Sequence, residues 1–234
     1  MKILAIIPAR GGSKGVPLKN IKLLNEKPLL QYTSDVALRS KLLSKVILST
    51  DDEAIISVGK KLGIEVPFLR PTSLAEDNSP TLPVIQHALT YLNDNLNEEY
   101  EAVCLLQVTS PFRTVEFLDA AIRKFIKSKA DSLISVQKVP HEYNPHWTFE
   151  KDQYDYLKIA TGDKKLITRR QDLPETYHRD GSIYLTKVNT IVNQNSLYGN
   201  KIAYIESPKE YYVNIDTEDD WKKAELIASR LNKF

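Results

Sequence analysis

The chain opens on Lys2-Ile3-Leu4-Ala5-Ile6-Ile7-Pro8 and passes at once into Ala9-Arg10-Gly11-Gly12-Ser13-Lys14-Gly15-Val16-Pro17-Leu18-Lys19-Asn20. The first stretch is short and almost wholly apolar, as a strand covered on both faces must be. The second is a glycine-rich, cationic loop. Glycines let a backbone approach an anion closely and aim its N–H groups at it, so a strand feeding such a loop is a place to hold phosphates. Arg10, Lys14 and Lys19 put three positive charges within ten residues, which suits a triphosphate and the pyrophosphate that leaves it. The Walker pattern G-x-x-x-x-G-K-S/T is absent, and Gly11-Gly12-Ser13-Lys14-Gly15 does not fit the dinucleotide fingerprint G-x-G-x-x-G. A solvated basic turn is the plain alternative for a loop of this kind.

Outward from that loop, strand-like and helix-like segments alternate. Pro28 opens a helix over 29–39, 46–49 reads as a strand, and Asp52 caps a helix to Lys61 that Gly63 stops. Residues 66–69 read as short and extended. A helix follows over 81–92, then a continuously apolar strand over 102–108, a helix over 115–127 and a strand over 132–139. Strands return at 182–186 and 201–205. Thr217 and Asp220 bracket the start of a last helix whose Trp221, Ala224, Ile227, Ala228 and Leu231 form an apolar stripe. This alternation predicts an α/β fold, a doubly wound and mostly parallel sheet with helices on both faces. We expect one domain over 1–234. The rhythm breaks at 140–180, an aromatic stretch holding His141, Tyr143, His146, Trp147, Tyr154, Tyr156, Tyr177 and His178. A long irregular insertion rich in aromatics points to an interface or a lid, so it is read as an inserted arm.

Bulk properties exclude several classes. A net charge of +2 indicates neither a nucleic-acid-binding surface nor an acidic tail. No apolar run approaches the roughly 20 residues that span a bilayer, and Arg10, Lys14 and Lys19 interrupt too early for a signal peptide. The one cysteine, Cys104, sits in an apolar run and cannot form an internal disulfide, so a reducing cytoplasm is the expected compartment and a buried thiol the expected role.

The residues from Ile7 to Asn20 match I-P-A-R-G-G-S-K-G-x-P-x-K-N throughout, and on that string the chain resembles the acylneuraminate cytidylyltransferases, which make CMP-sialic acids. Further motifs follow in order: Ser49-Thr50-Asp51, Arg70-Pro71 with Leu74-Ala75-Glu76-Asp77, Leu105-Leu106-Gln107-Val108-Thr109-Ser110-Pro111-Phe112-Arg113, Arg170-Gln171-Asp172, Asp180-Gly181-Ser182 and Ile215-Asp216-Thr217. The resemblance implies a CTP-dependent transferase that activates a nine-carbon sugar acid, sialic or legionaminic in type. The sugar's anomeric hydroxyl attacks the α-phosphorus and pyrophosphate leaves. Alternatives are an eight-carbon ketosugar acid as substrate, or a nucleotide-binding module that has lost turnover. A sugar-1-phosphate nucleotidylyltransferase is disfavoured by the missing G-x-G-T/S-R loop.

Residue by residue, the resemblance implies that Arg10, Lys14 and Lys19 hold the triphosphate, with Gly11 and Ser13 in the same loop and Asn20 on the nucleotide. It puts Arg70 and Thr81 at the cytidine, Gln107 and Thr109 at the sugar acid, and Arg170 near the sugar from an arm that crosses to a second subunit of a homodimer. Mg²⁺, with Mn²⁺ as a substitute, is the implied cofactor, held by Asp216. Relatives often carry D-x-D where this chain has Asn214-Ile215-Asp216, so Asn214 offers a carbonyl oxygen in place of a carboxylate. Strand alternation would put both on one face. His178 stands where some relatives have arginine and is read as a hydrogen-bonding arm residue rather than a base. His87 reads as structural, and His141 and His146 match no zinc spacing.

Overall fold

The computed structural model describes residues 1–231. They form two compact units, one of Met1–Ser135 with the chain from Asp180 onward, the other of Val136–Arg179. In the first unit β1 (Ile3–Pro8) is the pivot of the sheet. It pairs in parallel with β4 (Lys45–Ser49) on one side and with β5 (Ala102–Leu105) on the other. The six-stranded order is β10 (Ile202–Glu206), β6 (Ser132–Lys138), β9 (Tyr177–Lys187), β5, β1, β4, and β9 runs antiparallel to β5. A two-residue ribbon of β2 (Leu23–Leu24) and β3 (Lys27–Pro28) precedes the first helix.

The alternation of β1 makes the fold two-sided. Ile3, Ala5 and Ile7 enter a core with Leu29 and Leu30 of α1 (Leu29–Arg39), Leu118, Ile122 and Phe125 of α4 (Val115–Ser128), and Trp221 of α6 (Glu218–Leu231). Leu4 and Ile6 enter a second core with Ile85, Leu89 and Leu92 of α3 (Thr81–Leu96). Successive side chains of a strand point to opposite faces, so one apolar run supplies both cores.

Helix ends follow local chemistry. The Asp52 side chain accepts the Ile55 N–H at 3.0 Å and starts α2 (Glu53–Lys61), and Gly63 follows its end at φ +81°. Thr217 and Asp220 exchange bonds at the start of α6: the Asp220 carboxylate accepts the Thr217 N–H at 2.9 Å, and Thr217 Oγ1 accepts the Asp220 N–H at 3.2 Å. Leu231 is 37% exposed and falls outside the buried stripe of that helix.

Several boundaries differ from the sequence reading. β9 starts at Tyr177, inside the stretch read as an arm, rather than at 182, and α3 runs to Leu96 rather than 92. β5 ends at Leu105 rather than 108: Leu106 still donates to the Ile6 carbonyl, but the chain then turns away. Residues 66–69 form no strand. The bridge at Ile47 and Glu65 stops there, because Pro67 has no N–H to extend a ladder. α5 (Val188–Asn193), directly after β9, had no sequence signal.

The second unit contains single-turn 3₁₀ segments at His141–Tyr143, Pro145–Trp147 and Arg170–Asp172, and an antiparallel hairpin of β7 (Phe149–Lys151) and β8 (Leu157–Ile159). The Asp152 carboxylate turns that hairpin by accepting the Tyr154 and Tyr156 N–H groups, each at 2.9 Å. Buried Asn144 donates to the Pro174 carbonyl at 3.0 Å, and Trp147 Nε1 to the Ile167 carbonyl at 2.5 Å.

Phe125 is 1% exposed and among the largest fully buried side chains. Phe125→Ala should lower stability by about 3–5 kcal/mol in urea unfolding at unchanged m-value. A loss under about 1 kcal/mol would contradict the packing of α4 on the sheet.

Candidate active site

The loop after β1 is built by short side chains and bare backbone. Buried Asn20 donates its amide to the Arg10 carbonyl at 2.8 Å and closes the loop on itself. The Gly11 N–H donates to Asp51 Oδ1 at 3.1 Å, joining the loop to the end of β4. Two glycines are required by contact. A Cβ on Gly11 would lie 2.5 Å from Asp52 Oδ2, and one on Gly15 would lie 2.0 Å from the Asp216 carbonyl oxygen; one on Gly12 would meet nothing. Ser13 turns the loop through its N–H to the Gly11 carbonyl at 3.0 Å.

Two of the three cations of the loop share one partner. Arg10 pairs with Asp77 at 2.8 Å and donates to the Glu76 carbonyl at 2.7 Å, and Lys14 pairs with the same Asp77. The Lys14 ammonium, followed by Arg10, holds the Asp77 carboxyl below the usual carboxylate range. Lys19 instead reaches across the chain. Its side chain is only 12% exposed, and Nζ donates to the Ile215 carbonyl at 2.6 Å and to Asp216 Oδ1 at 3.2 Å.

Arg70 is buried beside β4, where it donates to the Ser49 hydroxyl at 3.0 Å and to the Ser49 carbonyl. Burial lowers its pKa to about 10, a value at which it stays cationic at neutral pH. The stretch from Arg70 leads through a 3₁₀ turn at Thr72–Leu74 to Thr81, the first residue of α3.

The segment after β5 and the segment before α6 meet. The Ile215 N–H donates to the Thr109 carbonyl at 2.9 Å. Val213 and Ile215 are buried while Asn214 and Asp216 face outward, and Asn214 Nδ2 donates to Asp216 Oδ2 at 2.5 Å. The two share a face on irregular backbone rather than on a strand. Gly181, at φ +80°, marks a close approach: a Cβ there would stand 3.2 Å from Gln107 Oε1, 3.2 Å from Ser110 Oγ and 3.5 Å from Asn214 Oδ1. Beneath it, buried Asp180 accepts from Ser135 Oγ at 2.5 Å, from the Ser182 N–H at 2.9 Å and from Ser207 Oγ.

The model of the cytidylyltransferase family matches residues 4–229 of this chain. The chain belongs to that family. The cytidylyltransferase is 32% identical over 227 residues to the pseudaminic acid cytidylyltransferase of Campylobacter jejuni subsp. jejuni, covering 97% of this chain and 96% of that protein. It is 34% identical over 229 residues to the CMP-N,N'-diacetyllegionaminic acid synthase of Legionella pneumophila, again covering 97% and 96%. The structure of a CMP:2-keto-3-deoxy-manno-octonic acid synthetase complexed with CTP superposes with a TM-score of 0.72 at 15% identity, over 98% of this chain and 99% of that one, and so shares the fold.

Of the residues expected at the site of this cytidylyltransferase, the first unit gathers Arg10, Gly11, Ser13, Lys14, Lys19, Asn20, Asn214 and Asp216 around one loop. Gln107 and Thr109 join them through Ile215 and Gly181. Arg170 belongs to the Val136–Arg179 unit, exposed at the start of a 3₁₀ turn. Asp51, Asp77, Arg113 and Asp180, not singled out from the sequence, bond to Gly11, to Arg10 and Lys14, to Gln107 and to Ser110, and each lies inside a motif visible in the sequence. Their roles depend on which distant group each one meets. His146 Nδ1 lies 2.9 Å from Asp163, His178 Nδ1 lies 3.2 Å from the Arg179 carbonyl, and half-buried His87 packs edge-on against Phe68. Burial pushes the Cys104 thiol up to about 12, so it stays protonated and unreactive. Among the described residues no group of three His, Cys, Asp or Glu side chains could hold a metal alone.

Gly15→Ala should drive the loop off the Asp216 carbonyl and weaken CTP binding at least about tenfold in isothermal titration calorimetry. Gly12→Ala, with open space around its Cβ, should bind CTP within about twofold of the parent. Equal effects of the two would overturn this account of the loop.

Proposed function

We propose that this cytidylyltransferase transfers CMP from CTP to a nine-carbon, sialic-acid-type sugar acid and releases pyrophosphate. The anomeric hydroxyl loses its proton and bonds to the α-phosphorus as the α–β bridging bond breaks. The observation that carries the reading is the bond of Lys19 to Ile215 and Asp216, which draws the cationic loop and the outward-facing Asn214 and Asp216 to one place. The full-length likeness to a pseudaminic acid cytidylyltransferase and a CMP-N,N'-diacetyllegionaminic acid synthase supports the substrate class.

In this reading Arg10 and Lys14 exchange the Asp77 carboxylate for triphosphate oxygens. An ammonium has three donors, and Lys19 keeps one beyond its two protein partners to spend on a phosphate. Catalysis then consists of orienting two substrates and neutralising charge as pyrophosphate departs. Arg70 and Thr81 serve the cytidine end. Gln107 and Thr109 serve the sugar acid.

A divalent cation, Mg²⁺ or Mn²⁺ in its place, fits the donor set. Asp216 offers an exposed carboxylate and Asn214 its amide oxygen, a pair suited to a hard ion that keeps waters and substrate phosphates as its other ligands. Bound there, the ion would supply charge neutralisation at the phosphates. This chain's own task is to hold the carboxylate still: the Asp216 N–H donates to Asp220 Oδ2 at 3.1 Å, Lys19 binds Oδ1, and Asn214 binds Oδ2.

The Val136–Arg179 unit carries exposed Tyr143, Tyr154, Tyr156 and Leu157, an apolar surface suited to burial against a second copy, with Arg170 delivered to that copy's sugar site. The enzyme would act in the cytoplasm, on free CTP and the free sugar acid.

Pyrophosphate release with CTP, Mg²⁺ and a panel of pseudaminic, N,N'-diacetyllegionaminic, N-acetylneuraminic and eight-carbon ketosugar acids tests the reading. One of the nine-carbon acids should be turned over best, and turnover of the eight-carbon acid alone would sink the assignment. Arg10→Ala and Lys19→Ala should each lower turnover at least about a hundredfold. Asp216→Asn should cost far more activity than Asn214→Ala, and Asn214→Asp should be tolerated and tighten Mg²⁺ binding. An Asp216→Asn enzyme with unchanged turnover and Mg²⁺ dependence would put the ion elsewhere. Light scattering should return twice the chain mass of 26.7 kDa, and a monomer would remove the role given to Arg170.

A further inference from the structure

We infer that Arg113 is the residue that positions Gln107 for the sugar acid. The inference rests on the reading that puts Gln107 at that substrate. Arg113 is 7% exposed, and its three bonds all go to neutral oxygens. Nε donates to Ser182 Oγ at 3.3 Å, one terminal nitrogen to Thr33 Oγ1 at 2.8 Å, and the other to the Gln107 carbonyl at 2.6 Å. Among the described residues no carboxylate lies within ion-pair distance of it. The buried Asp180 carboxylate offsets part of its burial from beyond ion-pair distance, and a guanidinium taken out of water without a direct ion pair is costly.

What the guanidinium supplies in return is geometry. Its planar fork reaches three elements at once: Thr33 on α1, Ser182 on β9, and the loop after β5. The held carbonyl is the first that the sheet no longer controls. β5 ends at Leu105, and Leu106 makes the last ladder bond, to the Ile6 carbonyl. Beyond that point the Gln107 carbonyl accepts from Arg113 and, at 3.4 Å, from the Ser110 N–H. Arg113 therefore closes a clasp from Gln107 back to its own position six residues on. The clasp fixes the backbone that aims Gln107 Oε1 toward Gly181 and the neighbourhood of Asn214. The triphosphate cations stand on a different loop, so loosening the clasp should be felt by one substrate and not by the other.

Truncation to alanine would enlarge the cleft that Arg113 lines with Phe112, Phe117, Asp180 and Tyr212, so milder variants are preferable. Arg113→Lys keeps the charge and loses the three-way fork, while Thr33→Val and Ser182→Ala each remove one acceptor. Steady-state pyrophosphate release gives KM for CTP and for whichever of N-acetylneuraminic, N,N'-diacetyllegionaminic or pseudaminic acid is turned over, with Gln107→Ala as reference and thermal unfolding of every variant in parallel. Arg113→Lys should raise KM for the sugar acid about tenfold, the scale of one lost hydrogen bond, and leave KM for CTP within about twofold. Thr33→Val and Ser182→Ala should move the same constant in the same direction by less, and they carry the test if Arg113→Lys does not fold. Parallel rises in both KM values, or a lowered Tm with both unchanged, would make Arg113 a scaffold residue and overturn the inference. If Gln107→Ala raises KM for the sugar acid while the three clasp variants do not, the inference fails and the site reading stands. An unchanged KM in Gln107→Ala overturns the placement of the sugar acid, and the inference falls with it.

Discussion

One bond joins the two ends of this fold. The Lys19 ammonium donates to the Ile215 carbonyl and to Asp216, across 196 residues of sequence, from a side chain that is nearly buried. A charge-assisted bond from a sheltered ammonium is short and strong, and leaving that ammonium unmatched would be costly. Much of the site hangs on it. Gly15 must be glycine because the same contact brings its Cα against the Asp216 carbonyl. The capping exchange of Thr217 with Asp220 then fixes where α6 starts, and so where Asp216 stands. Through the bond from Ile215 to Thr109, the same segment meets the loop after β5.

The second constraint is charge. Arg10, Lys14 and Arg70 crowd one end of the sheet, and like charges at that spacing repel. Asp77 answers Arg10 and Lys14 with one carboxylate, and Asp51 lies near enough to Arg70 to offset part of its burial. A triphosphate carries the same sign as Asp77 and more of it. Anion binding at this loop is therefore an exchange of partners rather than the filling of a bare cationic surface. Arg113 is handled differently, by hydroxyls and a carbonyl, which suits a residue that holds a loop rather than an anion.

Much of this was legible from residues alone, and the reasons differ by element. β1, α1, α2 and α6 were readable because their signals are local: an unbroken apolar run, Pro28 at a helix start, Asp52 three residues before the N–H it caps, and the Thr217–Asp220 spacing. The loop Ala9–Asn20 was readable because glycines and cations sit side by side there. β5 was read three residues too long, since Leu106 and Val108 are buried by the turn that follows the strand and an apolar residue does not record which structure covers it. The hairpin in 140–180 was invisible because its turn rests on one aspartate, Asp152, in a run of polar and aromatic residues.

The sequence by itself determined the fold class, the phosphate-type loop and the residue types of the site, because each is written in neighbours a few positions apart. Only the tertiary structure decided the partnerships: Lys19 with residue 215, Asp77 with Arg10 and Lys14, Arg113 with Thr33 and Ser182, Gly181 with Gln107. Those contacts join positions tens to nearly two hundred residues apart. They are set by strand order and by how helices pack on the sheet, and neither is encoded in local spacing.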